Sequence, residues 1–502
     1  MPRDGDGGGP VIGHAVSADL ARWALLPVAV WNDAAYDSRA IFTGSTTIVD
    51  GVPTMVYPGL CTERAFPGCL GMDFTVAVPA NRSGDPLLTN WTKPSYNPIV
   101  NGSGDDPTTA WRTAAGEWRM SRKDGKIFYS DDFVAWKQAA CVDVARCLPG
   151  GAFFNVSECS DFFPMPRFCD GNGCAEGGPT PAPNFVHKQS ANGDFYTIGR
   201  YEEGPPASTG VWAPSPGVPY LQPLDATITG GACEVFVSVA KSFYDSAQDR
   251  RLWFGWIHFP FGGLGAQSMA RESRFHAGLR LLTAQPVAAM ANLRALPALF
   301  SAPSVAVPAN GSVWLGDWAP GAGNQSELLV TFALPATSAT FGVTVLNGRG
   351  RGIGGSGGGV LAGAPRNASS LYITIAFDAP SFTANASVGS LNRVLPLIAG
   401  DAAVDIHVFL DQSIMETYIM GGRLAFTTQA GTPASGAEAG MSLVSDTAIA
   451  ASSVAAFHLN SCWHSPSEVL AQRDEIRAAR ALAHANAPAH VPAAASRLSN
   501  DR

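Results

Sequence analysis

Short runs in which apolar and polar residues alternate recur along most of this chain. Residues 54–57, 328–332 and 371–375 are examples of such runs. A period of two residues is the signature of a half-buried β-strand. The chain also holds 54 glycines and 37 prolines, which punctuate these runs with turns, and only 15% of its residues are charged. The pattern therefore predicts an all-β fold with many short strands.

One of these runs ends in an acidic residue that calls for an explanation. Residues 148–156 are apolar and rich in glycine, with the strand formers Phe153 and Phe154, and Pro164 ends strand pairing further on. Glu158 is thus expected on a short buried strand or at its mouth. Burial there would raise its pKa, as a general acid near neutral pH requires. A structural pairing with an arginine or a backbone amide explains the same residue equally.

A second carboxylate strengthens the chemical interpretation. Asp106 lies next to Asp105 and Pro107, five residues before Trp111. Aromatic faces stack on sugar rings, and paired carboxylates handle protons and positive charge in glycoside hydrolysis. The two acids together therefore favour sugar chemistry.

At these two places the sequence resembles glycoside hydrolase family 32, the invertases and fructan hydrolases. The family motif Glu-Cys-Pro-Asp reads Glu-Cys-Ser-Asp at residues 158–161, and the motif Arg-Asp-Pro reads Asp-Asp-Pro at residues 105–107. The resemblance implies that Glu158 is the acid/base, that Asp106 stabilises the transition state, and that Asp105 and Cys159 lie at the substrate site. It also implies retention of anomeric configuration by two carboxylates.

Further motifs extend the resemblance over residues 11–463. Residues 13–17 read Gly-His-Ala-Val-Ser, and residues 41–45 read Ile-Phe-Thr-Gly-Ser, so the resemblance places Phe42 and Thr43 in the fructose pocket. Trp256 falls where the family has a pocket tryptophan, although a core position explains it as well. Trp111 is also expected at the substrate site, near Asp106 and Glu158. A plain strand and turn likewise explains the segment around Phe42.

The family's architecture gives the expected domains. Residues 11–296 are predicted to form a five-bladed β-propeller whose first blade is incomplete, and residues 303–463 a β-sandwich in which Asp411 and Glu416 are structural. Residues 1–10 are predicted to be disordered. In the tail, 464–502, Ser465 and Glu468 form a capping box around Pro466 and predict an appended helix. The remaining edge of the first blade is expected to be unpaired and its strands the least secure.

Two departures from the family bear on activity. The nucleophile motif Asn-Asp-Pro-Asn-Gly has no counterpart, since Asp4 and Asp6 are the only acids before Gly13. We therefore expect the chain as written to hydrolyse sucrose at a negligible rate. Asp105 replaces the family's arginine, which removes a cation and places like charges side by side, so that one pKa of the pair is raised. Cys159 is expected to tune Glu158 through its thiol.

These features leave three functional hypotheses. The first is a hydrolase of β-fructofuranosyl linkages in sucrose or fructans. The second is a catalytically inactive sugar-binding homologue, and the third is a fructosyltransferase on the same scaffold. The expected partner is a small carbohydrate, and no cofactor or metal is predicted, because no C-x2-C pair and no ligand-like histidine spacing occurs. Oligomeric state does not follow from the sequence.

Composition bears on partners and location. The net charge of -8 argues against nucleic acid as a partner, and apolar runs are shorter than a membrane span requires. Local cysteine pairs at 61/69, 141/147 and 169/174 are consistent with an oxidising compartment. Eight Asn-x-Ser/Thr sites occur, at Asn81, Asn90, Asn101, Asn155, Asn310, Asn324, Asn367 and Asn385. The sequence thus predicts a secreted, cell-wall or vacuolar glycoprotein whose signal peptide is lost with the missing N-terminus.

Overall fold

The computed structural model is almost entirely β, with one α-helix near the C-terminus. It describes residues 9–140, 158–165, 184–190, 193–215, 222–226, 236–258, 265–316, 318, 322–347, 371–430 and 440–486. The predicted disorder of residues 1–10 and the cysteine pairs 141/147 and 169/174 fall wholly or mainly outside these ranges. Within the described residues, no helix combines the length and apolarity needed to cross a bilayer.

Five antiparallel sheets follow one another along the first part of the chain and form the blades of a propeller. The first blade has two strands, β1 (Ile12–Ser17) and β2 (Trp23–Val30). The second contains β3 (Ala40–Ile41), β4 (Ser45–Val49), β5 (Val52–Leu60), β6 (Met72–Pro79) and β7 (Trp91–Thr92). The third contains β8 (Trp111–Arg112), β9 (Trp118–Ser121), β10 (Ile127–Ser130) and β11 (Lys137–Gln138).

The last two blades have five strands each within the described residues. The fourth contains β12 (Glu158–Pro164), β13 (Phe185–Ser190), β14 (Asp194–Glu202), β15 (Val211–Pro214) and β16 (Gln222–Pro223). The fifth contains β17 (Phe236–Asp245), β18 (Arg250–His258), β19 (Gly265–Gln267), β20 (Arg271–His276) and β21 (Leu281–Pro286). Among the described residues of this part, helical geometry occurs in the 3-10 turns Ala35–Asp37 and Ala288–Leu293.

Apolar side chains between successive blades close the ring. One buried cluster joins the first and second blades, and others join the second to the third and the third to the fourth. The cluster of the fourth and fifth blades also takes in Ala21 beside the first blade. Trp23 meets Phe254 edge-to-face, with ring centroids 5.9 Å apart. Burial of these faces is the main stabilising term for such a ring of sheets.

Two further sheets pack face to face over a continuous apolar core and form the sandwich. One sheet has the order β22-β34-β25-β30-β31-β32 with β23 beside β34, and the other has β24-β33-β26-β27-β28-β29. Their strands are β22 (Phe300–Ala302), β23 (Val305–Val307), β24 (Gly311–Trp314), β25 (Gln325–Ala333), β26 (Ala339–Asn347), β27 (Leu371–Asp378), β28 (Thr383–Val388), β29 (Leu391–Leu395), β30 (Ala403–Asp411), β31 (Ile414–Ile419), β32 (Leu424–Gln429), β33 (Gly440–Ser445) and β34 (Ile449–His458). The predicted fold class, a propeller followed by a sandwich, is confirmed.

Buried charges tie the propeller to the sandwich. Arg271 on β20 donates to Asp225 at 2.9 Å and to Glu416 on β31 at 2.5 Å, and Thr427 accepts a further bond at 2.6 Å. Glu416 also accepts a hydrogen bond from the Met269 backbone at 2.9 Å. Glu416 thus has the structural position that the sequence predicted for it.

The C-terminal segment returns to the first blade. The helix α1 (Pro466–Asn486) begins with the predicted capping box, in which Glu468 accepts from the Ser465 backbone at 2.7 Å. Just before it, the Trp23 amide donates to the Cys462 carbonyl, and the His464 amide to the Trp23 carbonyl, each at 2.7 Å. The expectation of a wholly unpaired first-blade edge is therefore wrong at Trp23, because this segment bridges to it.

The described cysteines are few. Cys61 and Cys69 form the predicted local disulfide, with Cα atoms 6.0 Å apart. Among the described residues, Cys159 and Cys462 are free thiols.

Candidate active site

Asp106 is held rigidly at the end of a loop that precedes β8. Its side chain is only 3% exposed, and its backbone adopts a left-handed conformation with φ of 54°. One carboxylate oxygen accepts a hydrogen bond from the Cys159 amide at 2.7 Å, and the Cys159 thiol donates to the other at 3.6 Å. Hydrogen bonds to a carboxylate favour its ionised form and fix its orientation.

The start of β12 explains how Cys159 reaches Asp106. The pairing of β12 with β13 shifts register between Glu158 and Asp161, as in a β-bulge, and Cys159 has a φ of 45°. Bulges re-aim individual groups of a strand, and left-handed non-glycine residues cluster at functional sites. Here the bulge directs the Cys159 amide to Asp106, in the loop between the second and third blades. The rest of β12 stays paired with β13.

Cys159 acts on Asp106 and not on Glu158, contrary to the sequence-based expectation. Burial, and next the negative charge of Asp106, raise the pKa of Cys159 to about 12. The thiol therefore stays protonated and remains a donor. The Thr43 side chain also hydrogen-bonds to it, which connects Asp106 to the turn between β3 and β4.

Glu158 is exposed, which corrects a second expectation. It is the first residue of β12, and its side chain is 62% exposed, with Lys123 Nζ 3.6 Å from one oxygen. The sequence argument placed Glu158 on a short buried strand or at its mouth and expected burial there. The structure has the second arrangement without the burial, since residues 159–163 of β12 are buried and Glu158 precedes them.

The structure nevertheless brings the two acids together. One carboxylate oxygen from each of Asp105, Asp106 and Glu158 lies within 4.8 Å of the others. Asp106 and Glu158 are 52 positions apart in sequence, so the ring of blades creates this approach. The separation is well below the ~10 Å beyond which two carboxylates could not share one glycosidase site.

A lysine supplies the positive charge beside these carboxylates. Lys123 Nζ lies 2.6 Å from Asp105, and Glu158 is its second acidic partner. Burial lowers the pKa of Lys123, but the hydrogen bond and charge of Asp105 outweigh it and raise that pKa overall. Asp105 replaces the cation of the family's arginine, and Lys123 supplies another positive charge beside it. This ammonium group pairs with two of the three acids.

An open cleft of about 800 Å³ lies beside these groups. Thr43 and Lys241 line it near Cys159, and Trp256 on β18 forms part of the wall. Trp256 is 44% exposed and its ring packs on His258, with centroids 3.8 Å apart. Phe42, next to Thr43, is also partly exposed. Exposed aromatic faces beside carboxylates form a surface suited to a sugar ring.

Trp111 does not take part in this arrangement. It is 7% exposed and meets Phe162, Phe185 and Tyr201 edge-to-face in the cluster between the third and fourth blades. These are the contacts of a core residue, so we do not include Trp111 in the proposed substrate site.

Sequence reasoning missed two lysines at this site. Lys123 lies in the turn between β9 and β10, and Lys241 follows a register shift in β17. Lys241 Nζ donates to the backbone carbonyls of Pro107 at 3.2 Å and Ser160 at 3.0 Å, so it braces both acid-bearing segments. A signal for Lys123 does exist, because Asp124-Gly125 marks a tight hairpin between two strands.

Comparisons with known proteins identify the family. Residues 2–262 match the profile "Glycosyl hydrolases family 32 N-terminal domain", and residues 309–460 match "Glycosyl hydrolases family 32 C terminal". The chain is 34% identical over 275 residues to "Acid beta-fructofuranosidase 2, vacuolar" of Rosa hybrid cultivar, covering 51% of this chain and 39% of that protein. It is 30% identical over 320 residues to "Beta-fructofuranosidase, insoluble isoenzyme 6" of Oryza sativa subsp. japonica, covering 56% of this chain and 50% of that protein.

A solved structure shares the fold. Fructan 1-exohydrolase IIa from Cichorium intybus superposes with a TM-score of 0.69 at 20% identity, covering 92% of this chain and 91% of that one. A variant of the same enzyme, solved in complex with 1-kestose, superposes with a TM-score of 0.67. The matched part of our chain spans half or less of the length of the two plant relatives above.

Proposed function

The chain belongs to glycosyl hydrolase family 32, and from this premise we propose that its site acts on β-fructofuranosyl linkages in sucrose or fructans. The observation that carries the proposal is the approach of Asp106 and Glu158 to within 4.8 Å beside an open, aromatic-walled cleft. Relatives named as β-fructofuranosidases and a neighbour solved with 1-kestose support the same substrate class.

The two acids suit different roles. Asp106, fixed by the Cys159 amide and thiol, can accept hydrogen bonds from fructose hydroxyls and stabilise the positive charge of an oxocarbenium-like state. Glu158 is open to solvent, so it can give a proton to the leaving oxygen and take one from water. Phe42, Thr43 and Trp256 then bound the sugar.

A retaining reaction also needs a carboxylate that attacks the anomeric carbon. Among the described residues, Asp105 is the other acid in this group, and it is held by Lys123. We therefore assign no nucleophile. The specific observation that favours the second hypothesis, a sugar-binding homologue, is this Asp105–Lys123 pair where the family has an arginine.

Location follows as part of the same proposal. The Cys61–Cys69 disulfide, together with exposed sequon asparagines such as Asn81, Asn101 and Asn385, supports a secreted, cell-wall or vacuolar protein. The names of the rose and rice relatives, one vacuolar and one insoluble, agree with it.

Binding and turnover test the proposal separately. We expect calorimetry to detect 1-kestose binding by the purified chain, and Asp106→Asn to weaken it at least ~10-fold, because a hydrogen bond to a charged group is lost. Asp131→Asn, an exposed acid after β10, is the matched control and should bind like the wild type. No binding of sucrose, 1-kestose or inulin would overturn the proposal.

Turnover distinguishes a hydrolase from a binding protein. Without a nucleophile, sucrose hydrolysis is expected to be negligible. Excess azide should restore cleavage by attacking the anomeric carbon in the nucleophile's place, which releases glucose and leaves the fructosyl unit as a fructosyl azide. Glu158→Gln should slow that azide-dependent reaction by about 10²–10⁴-fold. Binding without any azide-dependent reaction favours the sugar-binding homologue. Fast release without azide would mean that another acid, Asp4 or Asp6 included, is the nucleophile.

A further inference from the structure

The turn between β9 and β10 is anchored beside the acid group. Arg122 pairs with Asp124 through both ends of its guanidinium, and its Nη1 donates to the Ser103 carbonyl. Gly125, with a φ of 78°, closes the turn by donating to the Arg122 carbonyl at 2.9 Å. Ser103 lies two residues before Asp105. The anchor therefore fixes the distance between this turn and the loop that carries Asp105 and Asp106.

Lys123 extends from this fixed turn onto the carboxylates. Its ammonium group is 2.6 Å from Asp105 and 3.6 Å from Glu158, and it also feels the charge of Asp106. The charges of Asp105, Glu158 and Asp106, in that order, raise its pKa. The Lys123 side chain is 30% exposed, so it covers one side of the three carboxylates without excluding solvent from them.

We propose that Lys123 is a positioning residue for Glu158. Lys123 and Asp105 together form what we call the charge clamp, in which Asp105 holds the ammonium group and the ammonium group holds Glu158. The clamp supplies the positive charge that the family's arginine would provide. Asp105 holds the ammonium in place at the shorter distance, and the ammonium draws the exposed Glu158 toward Asp106. Without it, three carboxylates within 4.8 Å would repel one another, and Glu158 would turn into solvent. The catalytic meaning of the clamp rests on the proposed function.

The clamp changes the proton affinity of Glu158. A nearby cation favours an ionised carboxylate over the protonated acid. Relative to the wild type, Lys123→Met should therefore move the NMR titration midpoint of Glu158 upward, and the movement should be modest because both groups are partly exposed. Lys123→Arg keeps the charge and should leave the titration near that of the wild type.

The measurement is a carbon-13 NMR titration of the protein labelled at the glutamate carboxyl carbons, with the Glu158 signal identified by its loss in Glu158→Gln. Lys126→Met is the matched control, since Lys126 lies in the same turn and pairs with Asp124 at 3.5 Å. We expect no shift in that variant. An unchanged Glu158 titration in Lys123→Met, with Lys123→Arg and the control also unchanged, would overturn the proposal.

A double-mutant cycle separates a clamp from a lone charge. If Asp105 positions Lys123, the effects of Asp105→Asn and Lys123→Met on the Glu158 titration are non-additive, and additive effects contradict the clamp. Equal urea midpoints for the variants show that the fold is intact. If the Glu158 titration shifts but no fructoside binds, the proposed function fails and the clamp stands. If fructosides bind but the Glu158 titration does not shift in Lys123→Met, the clamp fails and the proposed function stands.

Discussion

Two groups of carboxylates and cations in this molecule contain the same kinds of ion pair. They differ in how closely the charges are paired and in how far they are buried. At the interface of the propeller and the sandwich, Arg271 bonds Asp225 and Glu416, and all three are buried. At the mouth of the propeller, Lys123 bonds Asp105 closely and Glu158 loosely, and both Lys123 and Glu158 reach solvent. The first group is dry and fully paired, while the second is open and has one loosely held member.

The difference shows which group is open to a ligand. A buried charge that is bonded on every side cannot exchange protons or reach a ligand, so its role is to hold two domains in register. An acid/base must meet both water and a leaving group, which Glu158 can do and Glu416 cannot.

The largest expected effect is on the interface group. Arg271→Met leaves Asp225 and Glu416 buried without their cation, which should lower the free energy of unfolding by about 3–5 kcal/mol. Urea denaturation followed by fluorescence measures it. Glu158→Gln is the matched change at the open group and should alter stability by less than about 0.5 kcal/mol. Similar losses for both variants would mean that the open group is structural too.

A smaller effect concerns acid stability. Glu327 is buried and accepts from Arg294 at 2.6 Å and 2.8 Å, with His407 2.7 Å away. Burial raises the pKa of Glu327, but the hydrogen bonds from Arg294 and His407 outweigh it, so the pKa lies below its usual 4.5. The unfolded chain takes up the proton first as the pH falls. This stabilisation is therefore complete above about pH 4.5 and is lost below it, toward the lowered native pKa.

Urea midpoints measured from about pH 6 to about pH 3.5 test this sign. The wild type should lose stability through the lower part of that range, and Glu327→Gln should lose less. Glu158→Gln, which removes an exposed acid, should follow the wild type. Parallel curves for the wild type and Glu327→Gln would show that Glu327 does not contribute.

Much of the fold could be predicted from local pattern. Alternation and turns predicted the strands, and the capping box at Ser465 predicted where α1 begins, because strand alternation and capping depend on neighbouring residues. The motif order also placed Asp106 and Glu158 at one site. These features depend either on residues that are neighbours in the sequence or on an ordered series of motifs.

The errors share one physical cause, which is that burial and pairing depend on distant parts of the chain. Glu158 was expected on a buried strand or at its mouth with its side chain buried, but it is the exposed first residue of β12. Trp111, expected at the substrate site, joined the core because the third and fourth blades meet there. Lys123 was missed because a hairpin anchored by Arg122 brings it to Asp105, which lies 18 positions before Lys123 in sequence.

The central claim is that Asp106 and Glu158 form the sugar site, and a crystal structure with a bound fructoside tests it most directly. Crystals of Glu158→Gln soaked with 1-kestose should place the terminal fructosyl ring with its hydroxyls about 2.6–3.2 Å from the Asp106 carboxylate. The glycosidic oxygen should face position 158, with Trp256 bounding the remaining sugar. A sugar bound only elsewhere, such as the cleft lined by Arg294 and His407 between the two domains, would contradict the claim.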